Sequence, residues 1–97
     1  MWFVYILYSE KVDKFYIGES HDVDVRLDRH NTSYYSNKWA AKGKPWVLYL
    51  SLSCVNRSHA LKVEKHIKSM KSKIYIQNLK KYDEMRTKLI NRFLIKR

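Results

Sequence analysis

The first eighteen residues restrict the possible folds more than any other segment, because they contain two runs with the side chains of β-strands. Residues 2–8 are aromatic or branched aliphatic throughout, and residues 15–17 repeat this chemistry over a shorter length. The polar residues 9–14 between the two runs suit a loop. We therefore predict a β-hairpin that ends at Gly18, where a small residue lets the backbone turn or another group approach closely.

A third strand and four helices are predicted after the hairpin. Residues 46–53 are apolar almost continuously, which predicts a strand buried on both faces and therefore in the middle of the sheet. Helical periodicity covers residues 23 to about 30, after capping candidates at 20–22, and then about 59–70, 73–81 and 83–94. The second helix is expected to take Ser58 as its N-cap and to bury Ala60, Val63, Ile67 and Met70.

These elements predict an α/β fold of the α+β type, with a small, three-stranded, mostly antiparallel sheet flanked by helices. Ninety-seven residues allow one small domain. We predict a single domain over residues 1–97, with a core at about 3–79 and a helical extension at about 80–97.

Cysteine content and hydropathy limit the class of protein. The one cysteine, Cys54, excludes an internal disulfide and a multi-cysteine zinc module, and its apolar surroundings predict a buried, unreactive thiol. No apolar run approaches the roughly 18–20 residues that span a bilayer. The apolar N-terminus lacks the basic region and cleavage site of a signal peptide. We therefore expect a cytoplasmic protein with no membrane partner.

The net charge of +11 comes from 20 basic and 9 acidic residues, and it is unevenly distributed. Residues 57–97 contain 13 of the basic residues and only 3 of the acidic ones. An apolar fraction of 45% is enough for a folded core, so the chain is not merely a basic disordered tail. Such an excess favours a polyanionic partner, with nucleic acid ahead of an anionic membrane surface.

The first predicted helix carries an unusual cation on its apolar stripe. Val23 and Leu27 are one turn apart, and Arg26 and His30 lie on the same stripe. Long cations normally lie on the solvated face of a helix. Arg26 therefore either has a function or extends to solvent or to a local carboxylate.

Residues 31–45 form a long connection with no regular pattern, and such length in a small domain indicates function or mobility. Aromatic and basic residues alternate along it. Their mixture suits stacking on bases beside neutralised phosphates, or equally packing of the aromatic rings against the sheet. The residues concerned are Tyr34, Tyr35 and Trp39 together with Lys38, Lys42 and Lys44.

Glu64 is the sole acidic residue among six basic ones between Arg57 and Lys73. It falls at the edge of the apolar stripe of the second helix, with Lys68 and Lys71 on the same side. The simplest structural role for Glu64 is an ion pair with Lys68 at i+4, worth a few tenths of a kcal/mol.

Four short motifs together resemble the GIY-YIG nuclease domain, and most closely its small single-domain bacterial members related to the excinuclease C subunit. They are Tyr5, the triplet Tyr16-Ile17-Gly18 after ten intervening residues, Arg-Leu-x-x-His-Asn at 26–31, and Ala-Leu-x-x-Glu-Lys at 60–65. The first signature departs from the family, since it reads Phe3-Val4-Tyr5 and retains only the tyrosine. The first two positions contribute strand backbone and packing in the family, so activity is expected to survive.

The resemblance implies a metal-assisted phosphodiester hydrolase. Glu64 matches the single metal-binding carboxylate of the family, and a lone carboxylate with several waters is a common way to hold Mg²⁺, or Mn²⁺ in its place. Arg26 matches the arginine that binds the scissile phosphate. This match would explain a cation on an apolar stripe.

The resemblance implies that aromatic residues carry out proton transfer. Tyr5 and Tyr16 match the paired tyrosines, with Tyr16 as the base or water-positioning group. A phenol has an ordinary pKa of about 10 and is a poor base at pH 7 unless nearby cations lower that pKa. His30 matches a position that holds His or Tyr in relatives, and its imidazole titrates nearer neutrality.

Several further residues are predicted to contact nucleic acid. Asn78 corresponds to a late asparagine that contacts phosphate, although it follows Glu64 at a slightly long spacing, and Gly18 would permit close approach of the backbone. The predicted set of nucleic-acid-binding residues is Gly18, Asn78, Lys38, Lys42, Lys68 and Lys71.

The sequence thus predicts a Mg²⁺-dependent endonuclease that cuts or nicks DNA by a one-metal mechanism. DNA is favoured over RNA, and no obligate protein partner is evident. The alternative is a nucleic-acid-binding module that retains the fold without efficient turnover. In either case the basic C-terminal third must provide the binding surface.

Overall fold

The computed structural model describes residues 1–32 and 41–94. Within these residues the chain forms three strands and four helices, and the predicted fold class is confirmed. The elements are β1 (Trp2–Ser9), β2 (Lys14–Ser20), α1 (Val23–Asn31), β3 (Val47–Cys54), α2 (Arg57–Met70), α3 (Lys73–Lys81) and α4 (Asp83–Arg92).

The sheet is antiparallel throughout, with the strand order β2-β1-β3. The predicted hairpin is confirmed, but the prediction that the third strand lies in the middle is wrong. β1 is central, and its residues 4–7 are all buried, so the burial on both faces that we assigned to β3 belongs to β1. β3 pairs only with β1 among the described strands, and Val47 at its start is 54% exposed. Leu52 and Cys54 are buried while Ser51 and Ser53 are exposed, as expected for an edge strand covered on one face.

The alternation of side chains along β1 divides the core into two parts. Val4 and Ile6 point to one face, where helices α2, α3 and α4 cover the sheet. Tyr5 and Leu7 point to the other face, where they form a smaller cluster with Trp46 and with the apolar side of α1. The two faces therefore differ, since one is aliphatic and the other is rich in aromatic rings.

Side-chain caps fix where the first two helices begin. Asp22 caps α1, as anticipated, by accepting a hydrogen bond from the Val25 N–H at 3.2 Å. The prediction that Ser58 caps α2 is wrong. Asn56 does so by accepting from the His59 N–H at 2.9 Å, and the helix therefore starts at Arg57. Met70, predicted to be in the core, is instead exposed at the C-terminal end of α2.

Helix α4 is integrated into the main core. Leu89 belongs to the same buried cluster as Val4 and Ile6. The buried His59 of α2 donates from Nε2 to the Ile90 carbonyl oxygen at 2.8 Å, while its Nδ1 accepts from the Val55 N–H at 3.2 Å. One imidazole thus connects the start of α2 to the last turns of α4.

Two predictions from the apolar pattern can be compared with the structure. Cys54 is buried as predicted, and burial raises the pKa of its thiol. Among the described residues, no helix has the length and apolar character needed to cross a bilayer.

Candidate active site

Two tyrosines from the hairpin lie side by side on the aromatic face of the sheet. Tyr5 on β1 pairs across the ladder with Gly18, and Tyr16 on β2 pairs with Leu7, so the two tyrosines are diagonal neighbours. Their ring centroids are 6.2 Å apart, and the ring planes are inclined by 29°. The ten residues between them allow both strands and the loop to form while both rings point to the same face.

Gly18 is necessary for this arrangement because the Tyr5 ring lies across the β2 backbone at that position. A Cβ atom on residue 18 would be 2.5 Å from the Tyr5 hydroxyl oxygen and 2.6 Å from its Cζ. Both separations are far inside van der Waals contact. The structure thus gives Gly18 a packing role, and its predicted contact with nucleic acid remains a prediction.

Helix α1 brings His30 against the two tyrosines. The His30 ring centroid is 4.2 Å from that of Tyr16 and 6.4 Å from that of Tyr5, and the imidazole is buried. Its Nδ1 lies 2.9 Å from the Arg26 carbonyl oxygen. A carbonyl oxygen can only accept, so Nδ1 carries the hydrogen and donates it, which leaves Nε2 as the acceptor of the neutral ring.

The pKa of His30 is lowered from its ordinary value. Burial of the imidazole is the main cause, and the positive charge of Arg26 acts in the same direction. The hydrogen bond to the Arg26 carbonyl oxygen opposes these effects without cancelling them. His30 is therefore neutral at pH 7. Arg26 precedes His30 by one helical turn, so its charge acts on the imidazole.

The lowered pKa predicts that protein stability falls in mild acid. The unfolded chain takes up the His30 proton near pH 6.5, whereas the folded chain takes it up only at lower pH. The stabilisation is thus complete above about pH 6.5 and is lost as the pH falls through the folded-state pKa. We expect the free energy of unfolding, measured with urea from pH 7.5 to 5.0, to fall more steeply for the wild type than for His30→Asn. Asparagine retains a donor for the Arg26 carbonyl oxygen. If the free energy of unfolding fell equally with pH in the wild type and in His30→Asn, the lowered pKa would not belong to His30.

Trp46 and Asn31 complete this face and were not assigned a role from the sequence. The buried Trp46 ring has its centroid 6.1 Å from that of His30 and 6.5 Å from that of Tyr16. The Asn31 amide accepts from the Trp46 N–H at 2.5 Å and donates to the Trp46 carbonyl oxygen at 2.8 Å. Gly43 lies so close to the Trp46 ring that a Cβ there would overlap it. Asn31 is the last residue of the Arg-Leu-x-x-His-Asn motif, and this was the sequence signal that could have identified it.

Glu64 comes from the opposite face of the sheet. It lies in α2, beside the buried row formed by Ala60, Val63 and Ile67, and its side chain is 15% exposed. The predicted ion pair is confirmed, with the Lys68 ammonium 3.4 Å from the Glu64 carboxylate. Because Lys68 is exposed, this pair contributes little to stability. The ion pair with Lys68 holds the Glu64 carboxylate at the solvent boundary of α2.

Two ion pairs show where Glu64 lies along the sheet. Arg57 at the start of α2 pairs with Glu19 at 3.4 Å, and Lys73 just after α2 pairs with Asp13 at 2.8 Å. Helix α2 therefore runs antiparallel to β2, which is an edge strand. Glu64 follows Arg57 by two helical turns, on the same side and about 10 Å along the axis.

The matching position on β2 is Tyr16, because three residues of strand from Glu19 also span about 10 Å. From these spans we infer that Glu64 lies about level with Tyr16 along β2. The tyrosines and His30 lie on one face of the sheet, and Glu64 belongs to the helix that covers the other face.

The donor groups at this edge fit a hard divalent cation with a largely water-filled coordination shell. Among the described residues, no group of three His, Cys, Asp or Glu side chains could hold a metal ion. Mg²⁺ and Mn²⁺ are commonly bound by one or two carboxylates, with waters and substrate phosphate as further ligands. The Glu64 carboxylate, in a side chain that is 15% exposed, fits that mode.

The remaining predicted residues are only partly connected to this site. Lys71 is exposed at the end of α2, and Lys42 is also exposed. Asn78 is half-buried in α3. Within residues 1–32 and 41–94 its side chain forms no hydrogen bond or ion pair with Glu64 or Tyr16, so its role remains a prediction. Lys38 and the aromatic residues at 34, 35 and 39 lie outside the described residues.

The fold and these motifs define a nuclease-type domain. Comparison with known protein families matches the GIY-YIG catalytic domain over residues 1–83. The chain belongs to the GIY-YIG family. Neither the comparison with curated proteins nor the comparison with solved structures finds a match.

Proposed function

We propose that this protein is a divalent-metal-dependent endonuclease that hydrolyses phosphodiester bonds in DNA, with Glu64 as the single metal-binding carboxylate. Membership of the GIY-YIG family supports nuclease chemistry in general. The observation that supports the specific proposal is the contact of the His30 ring with Tyr16 on β2, the strand to which two ion pairs connect the Glu64 helix α2.

The proposed roles follow from the needs of the reaction. Water attacks phosphorus, the bond to the 3′ oxygen breaks, and negative charge accumulates on the phosphoryl oxygens. The Arg26 guanidinium can donate two parallel hydrogen bonds to those oxygens. Mg²⁺ or Mn²⁺ held by Glu64 would supply Lewis-acid stabilisation of the same charge. The expected products carry 5′-phosphate and 3′-hydroxyl ends.

Proton transfer is assigned to the pair formed by Tyr16 and His30. The Tyr16 hydroxyl orients the attacking water, and Tyr5 holds the Tyr16 ring in place from the next strand. His30 is neutral at pH 7 and has Nε2 as its acceptor, so it can receive the proton that the water loses. The closeness of the two rings, 4.2 Å between centroids, supports this division of roles.

The proposal predicts metal-dependent nicking by the isolated protein. Purified protein is incubated with supercoiled plasmid and with branched, linear, single-stranded and RNA substrates, in Mg²⁺, in Mn²⁺ and in EDTA. We expect cleavage of DNA in either metal and none in EDTA. Absence of cleavage on every substrate, in a protein that still binds DNA, would favour the second candidate function.

The second candidate is a nucleic-acid-binding module with little turnover. The observation in its favour is that the Glu64 carboxylate is already paired with Lys68, so a metal ion must compete with an ammonium group. The pair is exposed on the lysine side and costs little to break, which favours the enzyme. A Lys68→Ala variant separates the two functions. If the protein is an enzyme, the variant retains nicking and requires a lower metal concentration than the wild type does.

A further inference from the structure

A groove between α2 and α4 carries uncompensated positive charge. It consists of two adjoining depressions that share His66. Exposed Lys62 and Lys65 of α2 line one depression, and exposed Lys88 and Arg92 of α4 line the other. No aspartate or glutamate lines the described part of this α2/α4 groove, and none of its four cations forms an ion pair with a described residue. Four unpaired cations around two adjoining depressions attract an anionic partner.

Aromatic rings form the inner surface of the same groove. His66 of α2 lies between Tyr75, with centroids 6.0 Å apart, and Phe93, with centroids 5.4 Å apart. All three rings are half-buried, whereas the four cations are exposed. The Arg92 guanidinium also lies 5.3 Å from the centre of the Phe93 ring. Half-exposed rings beside cations suit unpaired bases, because a base inside a duplex has no free face for stacking.

The groove is separate from the candidate active site. His66 follows Glu64 by two residues, which places their side chains about 200° apart around α2. Lys68, Lys65 and Lys62 follow one another at three-residue steps around the exposed side of the helix, from the Glu64 side to the groove. Lys88, Arg92 and Phe93 lie beyond residue 83, where the family match ends.

We propose that the α2/α4 groove binds a single-stranded flank of the nucleic-acid substrate, with its phosphates on the four cations and a base stacked on Phe93. The inference rests on the proposed function in taking the substrate to be nucleic acid. The lysine row on α2 then guides the strand from the cleavage site, across a helix about 10–12 Å wide, into the groove. The segment beyond the family match thus determines which substrate structure is preferred.

The test compares two variants that lose the same charge. Lys88→Ala/Arg92→Ala removes two groove cations, and Lys11→Ala/Lys14→Ala removes two exposed lysines at the β1–β2 loop. Binding is measured in EDTA by fluorescence anisotropy, with a labelled duplex that has a single-stranded flank and with a blunt duplex of the same length. Circular dichroism checks that both variants are folded.

For the flanked duplex we expect the groove variant to lose about tenfold in affinity at 0.1 M salt. The slope of log affinity against log salt should become shallower by about 1.4, for two lost contacts to a single strand. The control variant and the blunt duplex should change only a few-fold. Phe93→Leu should weaken binding of the flanked duplex without altering the slope, because stacking releases no counterions.

Two outcomes would overturn the proposal. In the first, the groove variant loses no more affinity for the flanked duplex than the control does. In the second, the groove variant loses binding to phosphatidylserine vesicles but retains both duplexes, which would make the partner a membrane. The binding assay needs no turnover, so a failure of the wild type to nick DNA would count against the proposed function alone.

Discussion

Glu64→Gln is expected to reduce DNA nicking by about a thousandfold or more while leaving affinity for DNA within a few-fold. The substitution preserves the size of the side chain but removes the carboxylate that we propose as the metal ligand. Loss of a metal ion that stabilises a charged transition state is worth several kcal/mol, and about 4 kcal/mol corresponds to a thousandfold in rate. Affinity is retained because a neutral residue in a basic helix does not weaken attraction to phosphates.

Glu10→Gln provides the matched control, because Glu10 is an exposed glutamate in the β1–β2 loop and its replacement changes the net charge equally. Its nicking rate should match that of the wild type. Binding of Mn²⁺, followed by electron paramagnetic resonance, should be lost in Glu64→Gln and preserved in Glu10→Gln. A Glu64→Gln protein with more than a tenth of the wild-type rate would show that another group binds the metal.

Gly18→Ala is expected to destabilise the protein by about 2–3 kcal/mol, although alanine is ordinarily the better residue inside a strand. The new methyl group would overlap the Tyr5 ring, which is buried in the central strand and cannot move aside. For a chain of this size the expected fall in melting temperature is roughly 10–20 °C. Urea unfolding and thermal unfolding both measure the effect.

A double-mutant cycle with Tyr5→Leu tests the cause of this loss. Without the ring above residue 18, Gly18→Ala should become neutral or stabilising by up to about 1 kcal/mol, because alanine loses less backbone entropy than glycine. Tyr5 therefore determines whether Gly18→Ala stabilises or destabilises the protein. If the cost of Gly18→Ala were the same in both backgrounds, the clash would lie elsewhere.

The fold was predictable where local pattern determines structure. Strand propensity was sufficient for the hairpin, and helical periodicity for the positions of all four helices. The order of the strands was not predictable, because the apolar run at 46–53 does not reveal how many partners its strand has. The cap of α2 was missed because Asn56 and Ser58 are both good caps, and only the position of His59 in the core determines which is used.

The candidate site was predictable only in part, because it depends on contacts between distant segments. The motifs identified Tyr5, Tyr16, Arg26, His30 and Glu64. The sequence did not show how α2, the helix that carries Glu64, lies along the hairpin, because that depends on two ion pairs that connect α2 to the hairpin. The link from Asn31 to Trp46 spans fifteen residues, eight of them outside the described part, and has no periodic signature.

The buried His59 restricts how the C-terminal helix could be exchanged by protein engineering. Its Nε2–H needs an acceptor, which the Ile90 carbonyl oxygen supplies, and Leu89 fills the core beside it. A chimera that joined the family-matched segment to a different C-terminal helix would leave that donor unsatisfied in an apolar interior, at a cost of about 1–3 kcal/mol. A transplanted helix must therefore provide a main-chain carbonyl at the same point. Substrate preference can be redesigned on the outer surface of α4, but its inner surface has to be kept.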